Sequence, residues 1–249
     1  MIERRRLLSV ATAAAAAGVC GLSFAQPRPA RALKIVVYGG SGNIGSRIVA
    51  EALARGHDVT VVDRNPKTPA GPSQPKLHVD RGDAFDAADI GRHIAAADVL
   101  VTAVAVRPTP TRDFYVRLVS AMVQAQRASK GRKVRLMVVG GASSLETGDG
   151  RRVVDTLPAD LPEGSRNEIL SMIDALDYLR SVRDVPWTFF SPAASIEPGE
   201  RTGKFRLGGD QIIRNEQGES RISMEDYAVA LLDEIETPKH PNRRFTIGY

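Results

Sequence analysis

The sequence predicts an α/β fold, a doubly wound parallel sheet with a small C-terminal elaboration. Short β-branched runs alternate with amphipathic stretches along most of the chain, as strand–helix–strand units with parallel pairing require. A glycine-rich turn joins the first run directly to the first helical stretch. Aromatic residues make up only 5% of the 249 residues, and small β-branched side chains dominate the apolar runs. That balance suits strands covered on both faces better than a sandwich. With 43% hydrophobic and 25% charged residues, the composition excludes disordered and collagen-like classes.

The elements follow in order. Leu33 to Tyr38 is an apolar strand ending in glycines, and Ile44 to Arg55 has helical spacing, with Ile44, Ile48, Val49, Ala52 and Leu53 on one face and Gly56 as its stop. Asp58 to Asp63 is a second strand, Asn65 to Pro75 a Pro-rich loop and Leu77 to Val79 a short third strand. Asp86 to Ala96 reads as a helix, Val99 to Val104 as a strand and Thr111 to Ser129 as a long amphipathic helix. The strand Arg135 to Val139, the helix Glu168 to Val182 and the strand Trp187 to Phe190 come next, with Trp187 and Phe189 alternating as core residues do. In the elaboration, Lys204 to Leu207 and Gln211 to Arg214 read as strands before a turn at 215–218, followed by a helix from Met224 to Glu236 and a strand from Arg244 to Ile247. Neither a linker nor a repeat interrupts residues 33–249, so they form one domain.

Residues 1–32 read as an address rather than as part of that domain. Arg4-Arg5-Arg6 precedes the Ala-rich apolar stretch from Ala11 to Phe24, and Ser23-Phe24-Ala25 and Ala30-Arg31-Ala32 both have the small-x-small form of a signal-peptidase site. The segment resembles a bacterial twin-arginine export signal, with Glu3 where that pattern has Ser or Thr. It implies export to the periplasm, with no stable membrane insertion once the signal is cleaved. The alternative is a membrane anchor left by an uncleaved N-terminus, although Leu7 to Ala25 is short and weakly hydrophobic for one. Cys20, the single cysteine, lies inside the signal. The mature chain then has no thiol for disulfides, thiolate catalysis or metal binding.

The formal charge is +5, of which residues 1–25 carry +2, leaving +3 for the rest. No Lys/Arg run interleaved with aromatics appears, so a nucleic-acid face is not expected. The histidines His57, His78, His93 and His240 show no metal-ligand spacing.

The turn Gly39-Gly40-Ser41-Gly42-Asn43-Ile44-Gly45 carries the chemistry. Gly39 permits a tight exit from the strand, Gly42 lets the backbone approach a pyrophosphate and Gly45 lets the helix pack close. The free amides at the helix start, Ser41 to Gly45, then face the phosphates of NAD or NADP with the helix dipole behind them. Strand before and helix after give the triplet its meaning, since a glycine triplet alone is weak evidence. At the end of the second strand, Asp63 suits a ribose 2′-OH and so NAD. Arg64 suits a 2′-phosphate and so NADP, towards which the reading leans. Asp83 and Ala84, after the third strand, stand where a carboxylate and an amide could meet the adenine amino group, although Asp83 equally suits a simple turn. Ala103 and Val104, ending the fourth strand, leave room for a ribose or merely pack. Pro192 and Ala193 end a further strand, where doubly wound sheets bind ligands, with amides facing a nicotinamide carboxamide. Arg107 could meet an anionic substrate or stay in solvent.

These motifs, with Val138–Glu146, Ser191–Ala194, Glu197–Gly203 and Arg221–Ala228, resemble the atypical short-chain dehydrogenase/reductase superfamily. The similar branch holds NmrA-like and NAD(P)H-binding proteins, including flavin- and biliverdin-reductase-like enzymes. The resemblance covers residues 33–249 and implies a Rossmann-like fold. The superfamily's usual Tyr-x-x-x-Lys pair, in which lysine lowers the tyrosine pKa, is absent, because Gly42, Val119, Val182 and Leu231 stand four residues after Tyr38, Tyr115, Tyr178 and Tyr227. At the corresponding site Ser143 and Ser144 remain, either to hydrogen-bond a carbonyl or flavin ring or simply to turn the chain. The resemblance implies an NAD(P)H-dependent reductase passing hydride to a flat conjugated small-molecule acceptor, a flavin or quinone. The alternatives are a non-catalytic NAD(P)-binding redox sensor and, last, an epimerase or dehydratase.

Overall fold

The computed structural model describes residues 31–66, 74–105, 111–131 and 133–249. The export-signal stretch up to residue 30, most of the Pro-rich loop and Arg107 lie outside the described residues. The elements run β1 (Lys34–Tyr38), α1 (Asn43–Ala54), β2 (Asp58–Asp63), β3 (Leu77–Arg81), α2 (Ala87–Ile94), β4 (Val99–Thr102), α3 (Phe114–Ala128) and β5 (Arg135–Val139). A single 3-10 turn (Val153–Thr156) then precedes α4 (Glu163–Ser181), β6 (Trp187–Ser191), β7 (Ser195–Glu197), β8 (Arg206–Gly208), β9 (Arg221–Ser223), α5 (Met224–Glu236) and β10 (Arg243–Gly248).

Eight strands form one sheet in the order β3-β2-β1-β4-β5-β6-β10-β8, and only β8 runs antiparallel to its neighbour. The order reverses between β1 and β4. There the two crossovers leave in opposite directions and open a crevice at the carboxyl ends of the strands. One face packs against α1 and α5 through Ile48, Tyr227, Leu231 and Phe245. The other packs against α2, α3 and α4 through Leu118, Met122, Leu176 and Phe189. Burial on both faces is why the strands read as unbroken apolar runs.

Local chemistry sets the helix ends. Asp86 caps α2 by accepting from the amides of Ala88 and Asp89, and Ser223 caps α5 by accepting from Asp226. Gly56, at φ 86°, closes α1 with its amide on the Leu53 carbonyl. Helix α4 starts five residues before its expected Glu168, because its first turn is polar and follows Pro162 without apolar periodicity. The spacer also meets the fold: Arg31 pairs with Asp98 at 2.6 Å. No described helix is long and apolar enough to cross a membrane.

The elaboration departs from expectation. Gln211 to Arg214 is no strand; Gln211 makes one parallel bridge to Glu146, and the Ile212 amide donates to the Glu146 carbonyl. The sheet is extended instead by β8, and β7 and β9 pair in a separate parallel ribbon. Three-residue strands leave too short an alternation to be seen in sequence.

A buried ion cluster fixes this region to the core. Glu51 of α1 is 6% exposed and accepts from Arg55 Nε at 2.8 Å and from Arg201 Nε and Nη2 at 2.8 Å each. Arg55 also reaches Asp233 and Glu236 of α5, at 2.7 and 2.9 Å. Burial works to raise the Glu51 carboxyl pKa, but the hydrogen bonds from Arg201 and Arg55 outweigh it and hold it below the ordinary 4.5. A depressed folded pKa adds stability above the unfolded value and loses it as pH falls through the folded one. Glu51→Gln is therefore expected to cost about 1–3 kcal/mol at neutral pH, and to flatten the loss of stability on acidification below pH 4.5. Urea midpoints measured across pH check both, and an unchanged acid profile would contradict the cluster's role.

Candidate functional site

The site is built where β1 and β4 approach each other. Gly39 has φ 80°, and a Cβ on it would lie 2.7 Å from both the carbonyl carbon and oxygen of Ala103. A Cβ on Gly45 would lie 2.1 Å from the Gly39 carbonyl oxygen. Backbone therefore packs on backbone at both contacts, and only glycine permits it. Gly42 stands as the extended N-cap of α1, with no side-chain cap and no acidic residue in the first helical turn. Its own amide donates to the Gly39 carbonyl at 3.0 Å. The amides of Asn43, Ile44 and Gly45 thus begin a helix that no side chain caps, so its positive end is left for an anion.

Beside that helix start lies a cavity of about 190 Å³. Gly39, Ser41, Gly42, Asp63 and Arg64 line it, as do Asp83, Ala103 and Val104. The Asp63 carboxylate accepts from the Ser41 amide at 3.2 Å and so ties the glycine turn to the end of β2. Arg64 is exposed beside it. Asp83 forms a turn, accepting from the Phe85 amide at 3.0 Å, and its own amide donates to the buried Asp89 carboxylate at 2.5 Å. It nevertheless remains at the cavity wall.

The remaining sequence candidates do not line this cavity with their side chains. Ala84 is buried in the core and does not line this cavity. Asn43, Ile44 and Gly45 form the helix start itself, with Ile44 packing its side chain on the core and Asn43 exposed. Pro192 and Ala193 are buried at the end of β6. Proline has no amide, and the amides of Ala194 and Ser195 already donate to Ser220, so Ala193 alone of that stretch keeps an amide without an assigned acceptor among the described residues. Ser143 and Ser144 lie on the loop after β5, outside the cavity. The Ser143 carbonyl accepts from the Val154 amide, and Ser144 Oγ accepts from Arg244 Nη1 at 3.1 Å. That contact leaves the Ser144 hydroxyl proton free to donate.

Sequence reasoning gave no site role to Tyr38, Phe85 and Phe114, which also line the cavity. Phe85 and Phe114 meet edge to face with centroids 5.0 Å apart. Tyr38 lies with its hydroxyl 3.0 Å from His93 Nδ1, and burial, aided by the Asp89 carboxylate, pushes its pKa far above the ordinary value. A scan of strand ends finds none of them, because β1 ends on Tyr38 as an apolar core residue and the two phenylalanines belong to helix approaches.

This cradle fits a dinucleotide on its own geometry: two glycines that let the turn pack backbone on backbone, an uncapped helix start, and a carboxylate and a guanidinium at the end of β2. Fold and site together define an α/β domain of the NAD(P)H-binding class. The chain belongs to the NAD(P)H-binding family, whose model matches residues 39–238. Three solved structures resemble it over nearly their whole lengths, each provisionally described. An exported protein of Burkholderia pseudomallei is 42% identical with a TM-score of 0.76, covering 87% of this chain and 100% of that one. An epimerase of Bacteroides thetaiotaomicron is 36% identical with a TM-score of 0.77, covering 88% and 98%. An NADH-flavin reductase of Streptococcus pneumoniae is 30% identical with a TM-score of 0.73, covering 87% and 99%. These likenesses agree with the atypical short-chain dehydrogenase/reductase, NmrA-like resemblance.

Gly45→Ala forces a methyl against the Gly39 carbonyl, so the turn must shift. The expected outcome is loss of dinucleotide affinity by roughly 100-fold or more, on the scale of about 1.4 kcal/mol per tenfold, with the fold kept. Calorimetric titration beside circular dichroism checks it.

Proposed function

We propose that this protein is an NADPH-dependent reductase that passes hydride to a flat conjugated acceptor, a flavin or a quinone, without a tyrosine–lysine pair. The observation that carries the reading is the uncapped helix start at Gly42–Gly45, set at the sheet's reversal point beside Asp63 and Arg64. The streptococcal likeness and the missing Tyr-x-x-x-Lys pattern support the reaction class.

On this reading the amides of Asn43 to Gly45 hold the pyrophosphate and Asp63 fixes the adenine-side turn through Ser41. Asp83 borders the adenine, and Ala103 and Val104 border the ribose. Arg64 pairs with the 2′-phosphate, which is why NADP is preferred over NAD. Bound there, the reduced nicotinamide supplies a hydride. The chain's part is positioning: Ser143 and Ser144 orient the acceptor's polar edge by hydrogen bonds, and water supplies the proton that completes the two-electron reduction.

A second reading, a redox sensor that binds NAD(P) without turnover, draws on the same missing pair. NADPH oxidation with FMN and a quinone panel separates the two: turnover supports the reductase, whereas none across the panel, with unequal affinity for oxidised and reduced cofactor, supports the sensor. For location we propose periplasmic export by the twin-arginine signal at residues 4–25, an idea consonant with the Burkholderia relative's description.

Arg64→Ala is expected to weaken NADPH binding by roughly tenfold, the worth of one exposed charge-assisted pair, while NADH binding changes little. Equal losses for both cofactors would show that Arg64 does not read the 2′-phosphate.

A further inference from the structure

We propose a second ligand site, for a small multivalent oxyanion, in the groove between the end of α4 and the β8–β10 edge. The groove measures about 420 Å³. In the sheet order, β5 and β6 separate it from the β1–β4 crevice, so it lies apart from the dinucleotide cradle, although Ser144, which the proposed function sets against the acceptor, also bonds Arg244.

Its charges are unbalanced. Arg180, Arg243 and Arg244 line it, and Asp210 is the one carboxylate among its lining residues. That carboxylate serves two cations at once, bonding Arg244 through Nε (2.8 Å) and Nη2, with Arg180 Nη2 at 3.5 Å. Arg180 has a further partner in Asp177, out on the exposed face of its helix. Arg243 has no ion-pair partner among the described residues. The asymmetry of burial matters more than the count. The Arg244 side chain is 2% exposed and the Asp210 side chain 55% exposed. The cation is thus built into the wall by the sheet and by its bond to Ser144, whereas the anion sits on the rim after Gly208 and Gly209. A Cβ on Gly209 would meet nothing within 4 Å, so the rim is open.

A buried guanidinium needs an anionic partner, and here the partner is a solvent-facing side chain that an incoming oxyanion can replace. The planar guanidinium fork matches carboxylate and phosphate oxygens. One anionic group of the ligand takes the Asp210 position between Arg244 and Arg180, and the second meets Arg243. A monovalent anion gains only the first contact, in exchange for Asp210, and gains nothing overall. Leu207, a large exposed hydrophobic on the same rim, offers its side chain to a short carbon skeleton. The ligand class is therefore a compact polycarboxylate or a phosphate compound.

The test titrates the full chain with citrate and with inorganic phosphate, using acetate as the monovalent control, by calorimetry at constant ionic strength. Citrate alone binding identifies a polycarboxylate site, phosphate alone a phosphate site, and both a general oxyanion site; acetate is expected not to bind. Arg243→Ala, an exposed change that leaves the core untouched, is expected to weaken binding roughly tenfold. Asp210→Asn removes the built-in competitor and is expected to tighten binding severalfold, a sign that a merely structural ion pair would not give. Circular dichroism of the same variants reports whether each still folds. Absence of binding by both probes at millimolar concentration, binding indifferent to Arg243→Ala, or weaker binding in a folded Asp210→Asn variant overturns the proposal.

Discussion

Two backbone contacts, Gly39 against Ala103 and Gly45 against the Gly39 carbonyl, set the distances on which the rest of the crevice depends. Because no side chain stands between them, β1, β4 and α1 meet at a separation that backbone geometry fixes. The parallel register continues it, pairing Tyr38 with Val62 on one side and Thr102 on the other. The end of β2 is thereby brought to the turn, where Asp63 can accept from Ser41. An adjustment of a few tenths of an ångström at Gly39 would pass to all three strand ends, since close-packed interiors transmit strain rather than absorb it.

Electrostatics divides the molecule in a matching way. Helix α1 starts without an acid and keeps its positive end for the crevice, whereas α5 carries Glu225 and Asp226 in its first turn and spends both on the chain itself. Glu225 accepts from the Gly199 amide and from Arg47, and Asp226, fully buried, accepts from Thr202 and Gly203. Together with the Glu51–Arg201 bonds, these hold the segment from Pro198 to Lys204 against α1 and α5. An acid at the start of one helix fastens a loop, and its absence at the start of the other leaves room for a ligand.

How much of this was legible follows from the range of each interaction. The strands and helices up to β6 announce themselves through local periodicity, and the glycine triplet names its own neighbours in sequence. Asp226, an acid in the first turn of α5, suits the helix dipole. That is half of its role, because its bonds to Thr202 and Gly203 join residues more than twenty positions apart. Arg244 carried no signal: within an alternating strand it reads as an outward residue, and only the return of β8 and Asp210 buries it. The three-residue strands β7 and β9 are likewise set by pairing with each other rather than by their own sequences. The glycine turn and the helix start were thus readable from contiguous residues. The site's aromatic wall was not, because Tyr38, Phe85 and Phe114 meet only in three dimensions.

The tyrosines bear on how a proton could reach an acceptor. Tyr227 is wholly buried, donates to the Phe190 carbonyl at 2.7 Å and has its pKa raised well above the ordinary value by that burial. Tyr38 is raised for the same reason and rests against His93. Tyr249 lies with its hydroxyl 2.9 Å from both Ser223 Oγ and Asp226 Oδ2, joined to the loop-holding cluster. A neighbouring cation that lowers a phenol's pKa makes it a better proton donor near neutral pH, and burial drives Tyr38 and Tyr227 the other way. Under the reductase reading, a flavin or quinone acceptor suits such a site, because its charge after hydride arrival spreads over a conjugated ring and protonation from water follows. An alkoxide formed from an isolated ketone would have no comparable relief. Under the proposed reductase reading, these side chains thus favour acceptors that need least help with their proton.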